Sequence, residues 1–393
     1  LSNFPEDIRK TVISEIEAIT DYQKAVANSY EEYMDAQVGP TLRNMFYEKY
    51  PEKLWGIKIS ELTADWAPKR IKFRQNISPF YQNEWVAVGT KGTGAIYNLI
   101  AKKIKKLGGN FHFKKTVTSI TFNENIITSL GLESKENISV AKEDVIISSI
   151  PITIMTKFFG YQSSLKFRGV RLAYIAVKKE LVLPNKMNWL YYDSEEVIFN
   201  RVTEPKTMAP EISPKNKTVL VAEVSYSKDD DVDTLDDDVF LKRVVNDLIK
   251  VRLINVEDVI NTMSHKEDFV YPIQDKNYQK ELVKTRSVLN KFSQLYSLGT
   301  GGDFNYADSQ ILFHMAFDTV SNICNKDSRL AQTIREIVPV KQNKEVEISG
   351  ITIGDGFAPF IIAEAGMNHN GSLKLAFRLI DEAIKSRCSV IKF

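Results

Sequence analysis

Residues 294–317, QLYSLGTGGDFNYADSQILFHMAF, limit what this 393-residue chain can fold into more than any other stretch. A short apolar run from Leu295 to Leu298 has the length of a buried strand. Three glycines in four positions follow, Gly299, Gly301 and Gly302, broken only by Thr300. From Asp308 onward Ile311, Leu312, Met315 and Val320 recur at helical spacing, and Asp308 or Ser309 suits the N-cap. A strand, a glycine turn and a helix start let backbone come close to a ligand and aim free N–H groups at it. Such an arrangement suits a pyrophosphate or an electron-rich ring, although an ordinary tight turn has the same pattern.

The rest of the chain alternates between helical and extended patterns. Residues 1–56 read as helical, with Ile8, Val12, Ile16 and Ile19 on one apolar stripe and Val26, Tyr30, Tyr33, Met34 and Val38 on another. Gly89, Gly92 and Gly94 precede an amphipathic helix over 96–104. Lys102, Lys103, Lys105 and Lys106 give it a solvated face, Gly108 and Gly109 end it, and 111–120 alternates as a strand. Residues 144–151, DVIISSIP, form a buried parallel-strand pattern of the kind whose carboxyl edge binds ligands. Strands are predicted at 173–177, 189–192, 197–200 and 219–226, and helices at 240–251 and 278–290. The acidic run 229–238 is no calcium loop, because Thr234 stands where a glycine is required and Phe240 where a glutamate is. It reads as a solvated turn leading into a helix N-terminus. Residues 331–345 lack a strong period and read as a linker. Beyond it come a hairpin around Gly350, a buried strand from Pro359 with a glycine-ended loop, a helix over 373–385 and a strand from Ser389. That β–loop–α–β order opens a parallel barrel.

Composition excludes several classes. Hydrophobic content of 43% and charged content of 26% are those of an ordinary globular chain, and a net charge of +2 gives no electrostatic reason to expect nucleic acid. Cys324 and Cys388 lie far apart, and with four histidines they offer no zinc or redox spacing. No run approaches the ~18 apolar residues of a membrane helix and no signal peptide opens the chain, so the expected setting is reduced and cytoplasmic. A start at Leu1 and an end at Phe393 inside a strand-like run read as a piece cut from something longer.

The order of these blocks resembles the FAD-dependent superfamily of amine oxidases, protoporphyrinogen oxidases and UDP-galactopyranose mutases. SYEEY at 29–33, FYEKYPEKLWG at 46–56 and WAPKRI at 66–71 are similar to the helical subdomain of its mutase-like branch. IISSIP at 146–151 and VYPIQD at 270–275 resemble segments of its flavin domain. In 299–308, Gly299, Phe304, Tyr306 and Asp308 match its last flavin-contacting segment, with Thr300 where the mutase-like branch has arginine. The resemblance implies a mixed α/β (α+β) chain. Its parts are a helical subdomain over 1–75, a Rossmann-like FAD-binding domain over 76–164 and 266–330, and an antiparallel-sheet substrate domain over 165–265. The FAD domain reads as incomplete, since no strand–GxGxxG–helix with its ribose-binding acid occurs. Implied cofactor contacts are Val117, Ser148, Ser149, Pro151, Gly299, Thr300, Gly301, Tyr306 and Asp308. Arg168, Arg171, Tyr191 and Arg201, with Tyr192, are expected to line the substrate pocket, half-exposed strand residues being the alternative. Trp55 and Trp66 read as core packing.

FIIAEAGMNHNGSLKLAFRLIDEAI, with VIKF after it, resembles the start of the N-acetylneuraminate (sialic acid) synthase family. This implies that 346–393 begin a barrel in which Glu364 contacts an amino sugar and Lys392 a phosphate. The divalent metal belongs only to a complete synthase, and His369 is a loop hydrogen-bonder. One unit of a barrel cannot bury itself, so no condensation activity is expected from it. The leading reading is an FAD-dependent oxidoreductase or mutase-like flavoprotein of surface-polysaccharide or nucleotide-sugar metabolism, acting on a small molecule or nucleotide-sugar and joined to the start of a synthase. Two alternatives are a non-catalytic scaffold or sugar-binding module, and a parent chain whose main activity is the synthase. FAD is expected to bind the chain as it stands weakly or not at all.

Overall fold

In the computed structural model, residues 4–20, 26–65, 91–326, 345–348, 351–354, 360–365, 372–386 and 388–392 are described. The segments around Trp66, Gly89, the linker and His369 lie outside them. The chain divides into two compact units, Leu1–Ile323 and Cys324–Phe393.

The N-terminal helical region is not continuous. It runs as Glu6–Glu17, Tyr30–Leu42, a π-helical turn Arg43–Tyr47, and Lys49–Trp55. Gly39 breaks the second piece at φ 79°, followed by Pro40, which cannot donate to the helix ladder. The Glu15 carboxylate fills the gap, accepting from the Thr41 amide at 2.9 Å and its hydroxyl at 2.7 Å. Arg43 then anchors the π-turn by bonding Asp35 at 2.6 Å and Glu48 at 2.7 Å. Val12, Tyr30, Met34, Val38, Leu54, Trp55 and Leu62 pack as one core.

After the helix Gly94–Lys106, strands β1 (Val117–Asn123), β2 (Ile126–Leu132) and β3 (Asn137–Ser139) form an antiparallel meander. The extended run therefore begins later than the alternation from residue 111 predicts. Strand β4 (Ile146–Ser148) stands outside this sheet. Five antiparallel strands build the largest sheet: β5 (Phe167–Val177), β6 (Trp189–Tyr191), β7 (Arg201–Thr203), β8 (Thr218–Tyr226) and β9 (Val259–Pro272). Their order is β6-β7-β8-β5-β9.

Strict alternation gives this sheet two distinct faces. Ala173, Ile175, Val177, Val202, Leu220, Ala222 and Val224 point to one side, where Phe240, Leu241, Val244 and Leu248 of the helix Asp237–Lys250 cover them. The run 197–200 is not a strand. Val197, Ile198 and Phe199 enter the same core from a loop, and ladder pairing starts at Arg201. The acidic run before the helix is also less solvated than predicted. Asp230 and Asp236 cap helical turns, but Asp233 is buried, and the hydrogen bond from Lys266 holds its carboxyl far below the ordinary range.

Strand β10 (Leu295–Ser297) pairs in parallel with β4, Leu295 opposite Ile146 and Ser297 opposite Ser148. In the second unit, β11 (Glu345–Ile348) and β12 (Ile351–Gly354) form a hairpin. There β13 (Ile362–Glu364), the helix Leu373–Lys385 and β14 (Val390–Lys392) make one parallel β–α–β unit. Among the described residues, no helix is long and apolar enough to cross a membrane.

Candidate functional site

The polar face of the five-stranded sheet positions the site. Since Val202, Ala222 and Val224 face the core, Arg201 and Glu223 must project the other way, and so must Tyr191. The ladder sets these three in a row, with Tyr191 opposite Arg201 and Arg201 opposite Glu223. The helix Lys49–Trp55 and the π-turn before it lie over this row. Between them is a cavity of about 640 Å³, lined by Tyr30, Met45, Phe46, Tyr47, Tyr50, Pro51, Leu54, Tyr191, Asp193, Arg201, Glu223, Tyr271 and Tyr306.

Aromatic rings dominate its wall in edge-to-face arrangements. Tyr50 meets Tyr191 at 5.0 Å, Trp55 meets Tyr306 at 5.3 Å, and Tyr271 meets Tyr306 at 5.8 Å. Burial, with Tyr191 nearby, pushes the Tyr50 hydroxyl pKa well up, and burial together with the Glu223 charge does the same for Tyr271. Both phenols stay protonated and can donate. Arg201 Nε donates to Glu223 Oε1 at 2.7 Å, and its Nη2 lies 2.5 Å from the same oxygen. Burial works against the Arg201 charge, but the Glu223 carboxylate outweighs it and holds the guanidinium charged.

The overlying helix is fixed at two points. Lys53 Nζ donates to the carbonyls of Ser194, Val197 and Phe199 at 2.8, 2.7 and 2.7 Å. Burial lowers its pKa to about 8 against the pull of Asp193, Asp247 and Glu195. At the helix end, Arg168 donates to the carbonyls of Leu54 at 3.2 Å and Lys53 at 3.3 Å, a cation placed at a C-terminus. Arg168 is therefore a packing residue and does not line the cavity. Arg171 is not there either. It bonds the carbonyls of Val232 and Leu235 and the Asp237 carboxylate, tying the sheet to the acidic turn. Tyr192 packs into the core against Phe199 at 4.9 Å. Of the expected pocket residues, Tyr191 and Arg201 line the cavity. Glu223, Tyr50 and Tyr271 were not among the expected pocket residues, although Tyr50 and Tyr271 lie inside the FYEKYPEKLWG and VYPIQD stretches and Glu223 is a lone carboxylate in the apolar strand TVLVAEVSY.

The glycine stretch lies at the carboxyl end of the parallel pair. Gly299–Gly302 forms a single helical turn rather than an open loop, and the long helix Ser309–Lys326 begins only afterwards. The Leu298 amide bonds the Ser148 carbonyl at 2.9 Å. A Cβ at Gly302 would come within 2.9 Å of that same oxygen, and one at Gly301 within 3.4 Å of the Ser149 carbonyl and 3.5 Å of Pro151 Cα. Ser148, Ser149, Pro151, Gly299, Thr300 and Gly301 are thus brought together. Gly299 has φ +88° and nothing within 4 Å of where its Cβ would be, so its backbone is open to a ligand. From this turn the chain runs through the buried Phe304 to Tyr306 in the cavity wall. Asp308 opens the next helix, its carbonyl accepting from Ile311 and Leu312. Val117 instead begins β1, half-buried opposite Leu132. In the second unit, Lys392 Nζ bonds Glu364 at 3.1 Å across β13 and β14, both side chains being exposed.

The UDP-galactopyranose mutase family profile matches residues 45–234, from the π-turn through the acidic turn. Among solved structures, reduced UDP-galactopyranose mutase superposes with a TM-score of 0.67 at 19% identity, over 84% of this chain and 75% of that one. The chain has the UDP-galactopyranose mutase fold. More distant is a protoporphyrinogen oxidase from Exiguobacterium sp. 255-15, with TM-score 0.52 and 12% identity over 76% of this chain and 68% of that one. A stretch of 47 residues is 47% identical to the spore coat polysaccharide biosynthesis protein SpsE of Bacillus subtilis (strain 168), covering 12% of this chain but only 13% of that protein.

Within the mutase fold, the test for a flavin is whether backbone is left bare for it. Gly299 passes: it combines a positive φ with open space, at the carboxyl ends of paired parallel strands. Ser148, Ser149 and Thr300 supply small polar neighbours.

Proposed function

We propose that the unit Leu1–Ile323 belongs to an FAD-dependent mutase-like enzyme or oxidoreductase that acts on a carbohydrate, in surface-polysaccharide or nucleotide-sugar metabolism. One observation carries this reading. A single short segment leaves the open glycine at the end of the parallel pair and delivers Tyr306 to the wall of the aromatic cavity of about 640 Å³. The mutase fold and the SpsE-like stretch support the same field of metabolism.

Gly299, Thr300 and Gly301, with Ser148, Ser149 and Pro151, would hold the flavin edge. Bound FAD would supply hydride transfer in an oxidoreductase or a nucleophilic reduced ring in a mutase. The chain's own residues do the rest. Tyr191, Tyr271 and Tyr306 offer ring faces to the C–H faces of a sugar and exclude water. Tyr50 and Tyr271, kept protonated by burial, donate to its hydroxyls. The substrate is a small carbohydrate, with UDP-galactose the first candidate because the family's name supplies it.

Titration with FAD, followed by flavin fluorescence, tests this reading. Binding is expected to be saturable but weak, and to disappear in Gly299→Val while the circular dichroism and melting curve stay those of a folded chain. Equal FAD binding by the folded variant would overturn it.

A further inference from the structure

Two distant pieces of chain wall the cavity, and one half-buried cation joins them. The helix Lys49–Trp55 supplies Tyr50, Pro51 and Leu54, and the loop between β6 and β7 supplies Asp193. Lys53 leaves the flank of that helix, and its Nζ bonds the Ser194, Val197 and Phe199 carbonyls of the loop, 141 to 146 positions along the chain. An ammonium has three N–H donors, and these bonds use all three.

The loop does not depend on Lys53 for its own place. Val197, Ile198 and Phe199 sit in the core of the sheet, and the Ile198 amide bonds the Asp247 carboxylate at 2.7 Å. The helix is therefore the partner that the ammonium positions, with Arg168 holding only its last carbonyls. Burial works against the charge and lowers the Lys53 pKa to about 8, opposed by Asp193 and Glu195 on the loop and Asp247 on the helix behind it. Its contribution is thus less to stability than to register. A neutral amine keeps two donors and turns a lone pair toward the third carbonyl, which loosens the helix on that side.

We infer, resting on the carbohydrate-flavoprotein reading above, that Lys53 is a positioning residue of the cavity, its ammonium clasping the roof helix to the β6–β7 loop so that Tyr50, Pro51 and Leu54 are held against Asp193 for the sugar. Only the clasped form is competent, so apparent affinity follows the fraction of chains in which Lys53 carries its proton. That fraction is whole well below pH 8 and is lost as pH rises through it. Tyr50 and Tyr271 keep their protons over the same range, and the described lining residues include no histidine or cysteine.

Calorimetric titration of the full chain with UDP-galactose in excess FAD, between about pH 6.5 and 8.8, tests the inference. Affinity is expected to fall about sevenfold across that range, as the ammonium fraction does, while the melting temperature stays level or rises. A lysine that only stabilised the fold would not set the two measurements moving apart. Lys53→Met should bind about sevenfold or more weakly at the low end and lose the pH dependence. Lys53→Arg, charged throughout, should also lose the pH dependence but bind more tightly than Lys53→Met. Hydrogen exchange on the ligand-free chain, corrected for its intrinsic pH dependence, gives a second readout. Protection of 49–55 should fall with rising pH and in Lys53→Met, relative to the helix Asp237–Lys250. UDP-galactose affinity that is flat with pH in the wild type, or unchanged protection of 49–55, would overturn the inference. Loss of protection in a chain that binds no UDP-galactose would sustain the clasp and remove the substrate reading instead.

Discussion

Gly56 shows how one residue holds the site's roof. It ends the helix Lys49–Trp55 at φ +67°, and its missing Cβ leaves room for Arg168, whose Nη1 would lie 2.6 Å from a Cβ there. The same guanidinium bonds the last helix carbonyls, so glycine, arginine and helix end are one assembly. Gly56→Ala therefore meets two costs, about 1–2 kcal/mol for left-handed backbone and a further displacement of Arg168. Gly160 gives the comparison. It has φ +75° with nothing within 4 Å, so Gly160→Ala carries only the backbone cost. Urea unfolding should show the larger loss for Gly56→Ala; equal losses would mean that Arg168 moves aside freely.

At the scale of elements, the short parallel pair β4–β10 decides where the glycine turn sits. Only three residues of each strand pair, so the contact depends on close approach rather than on ladder length. Gly302 lies against the Ser148 carbonyl, and the Ser297 hydroxyl donates to the Gly302 carbonyl at 2.6 Å, closing the turn onto its own strand. A backbone oxygen cannot step aside as a side chain can. Gly302→Ala should cost about 1–3 kcal/mol and weaken FAD binding by displacing the turn. Gly301→Ala, whose Cβ would meet ordinary contacts at 3.4 Å and beyond, should be much milder in both measurements.

Across the whole first unit, buried phenols set the response to alkali. Tyr30, Tyr50 and Tyr271 are pushed well above the ordinary value of 10, mainly by burial, and Tyr278 is pushed up to about 12 by burial and its bond to Asp65. Above about pH 10 the unfolded chain releases phenolic protons that the folded chain keeps. Their contribution to stability is whole below that pH and is lost as pH rises through 10 toward 12 and beyond. Lys53 acts oppositely. Its folded pKa of about 8 lies below the ordinary 10.5, so between those values the folded chain gives up a proton that the unfolded chain retains, and stability gains. Four tyrosines against one lysine make the fall prevail above pH 10. Melting temperature measured from pH 7 to 11.5 should stay level or rise slightly to about pH 9–10 and then drop steeply. A steady decline beginning near pH 8 would contradict the burial of these groups.

Period and punctuation in the sequence determined a good deal by themselves. Strict alternation in 173–177 and 219–226 marks strands with one apolar face, because each residue turns its side chain opposite to the last. The acidic run and the apolar spacing from 240 onward mark a helix, which the structure starts earlier, at Asp237–Lys250, and IISSIP and LYSLGTGG mark strand ends beside small residues. Tertiary structure alone decided the partners. Arg168, Arg171 and Arg201 look alike on their strands, yet one caps a helix, one ties down a turn and one lines the cavity. Which of them remains at the site depends on residues 22 to more than 100 positions away, and a local pattern records only which face a side chain leaves from, not what the folded chain sets against it.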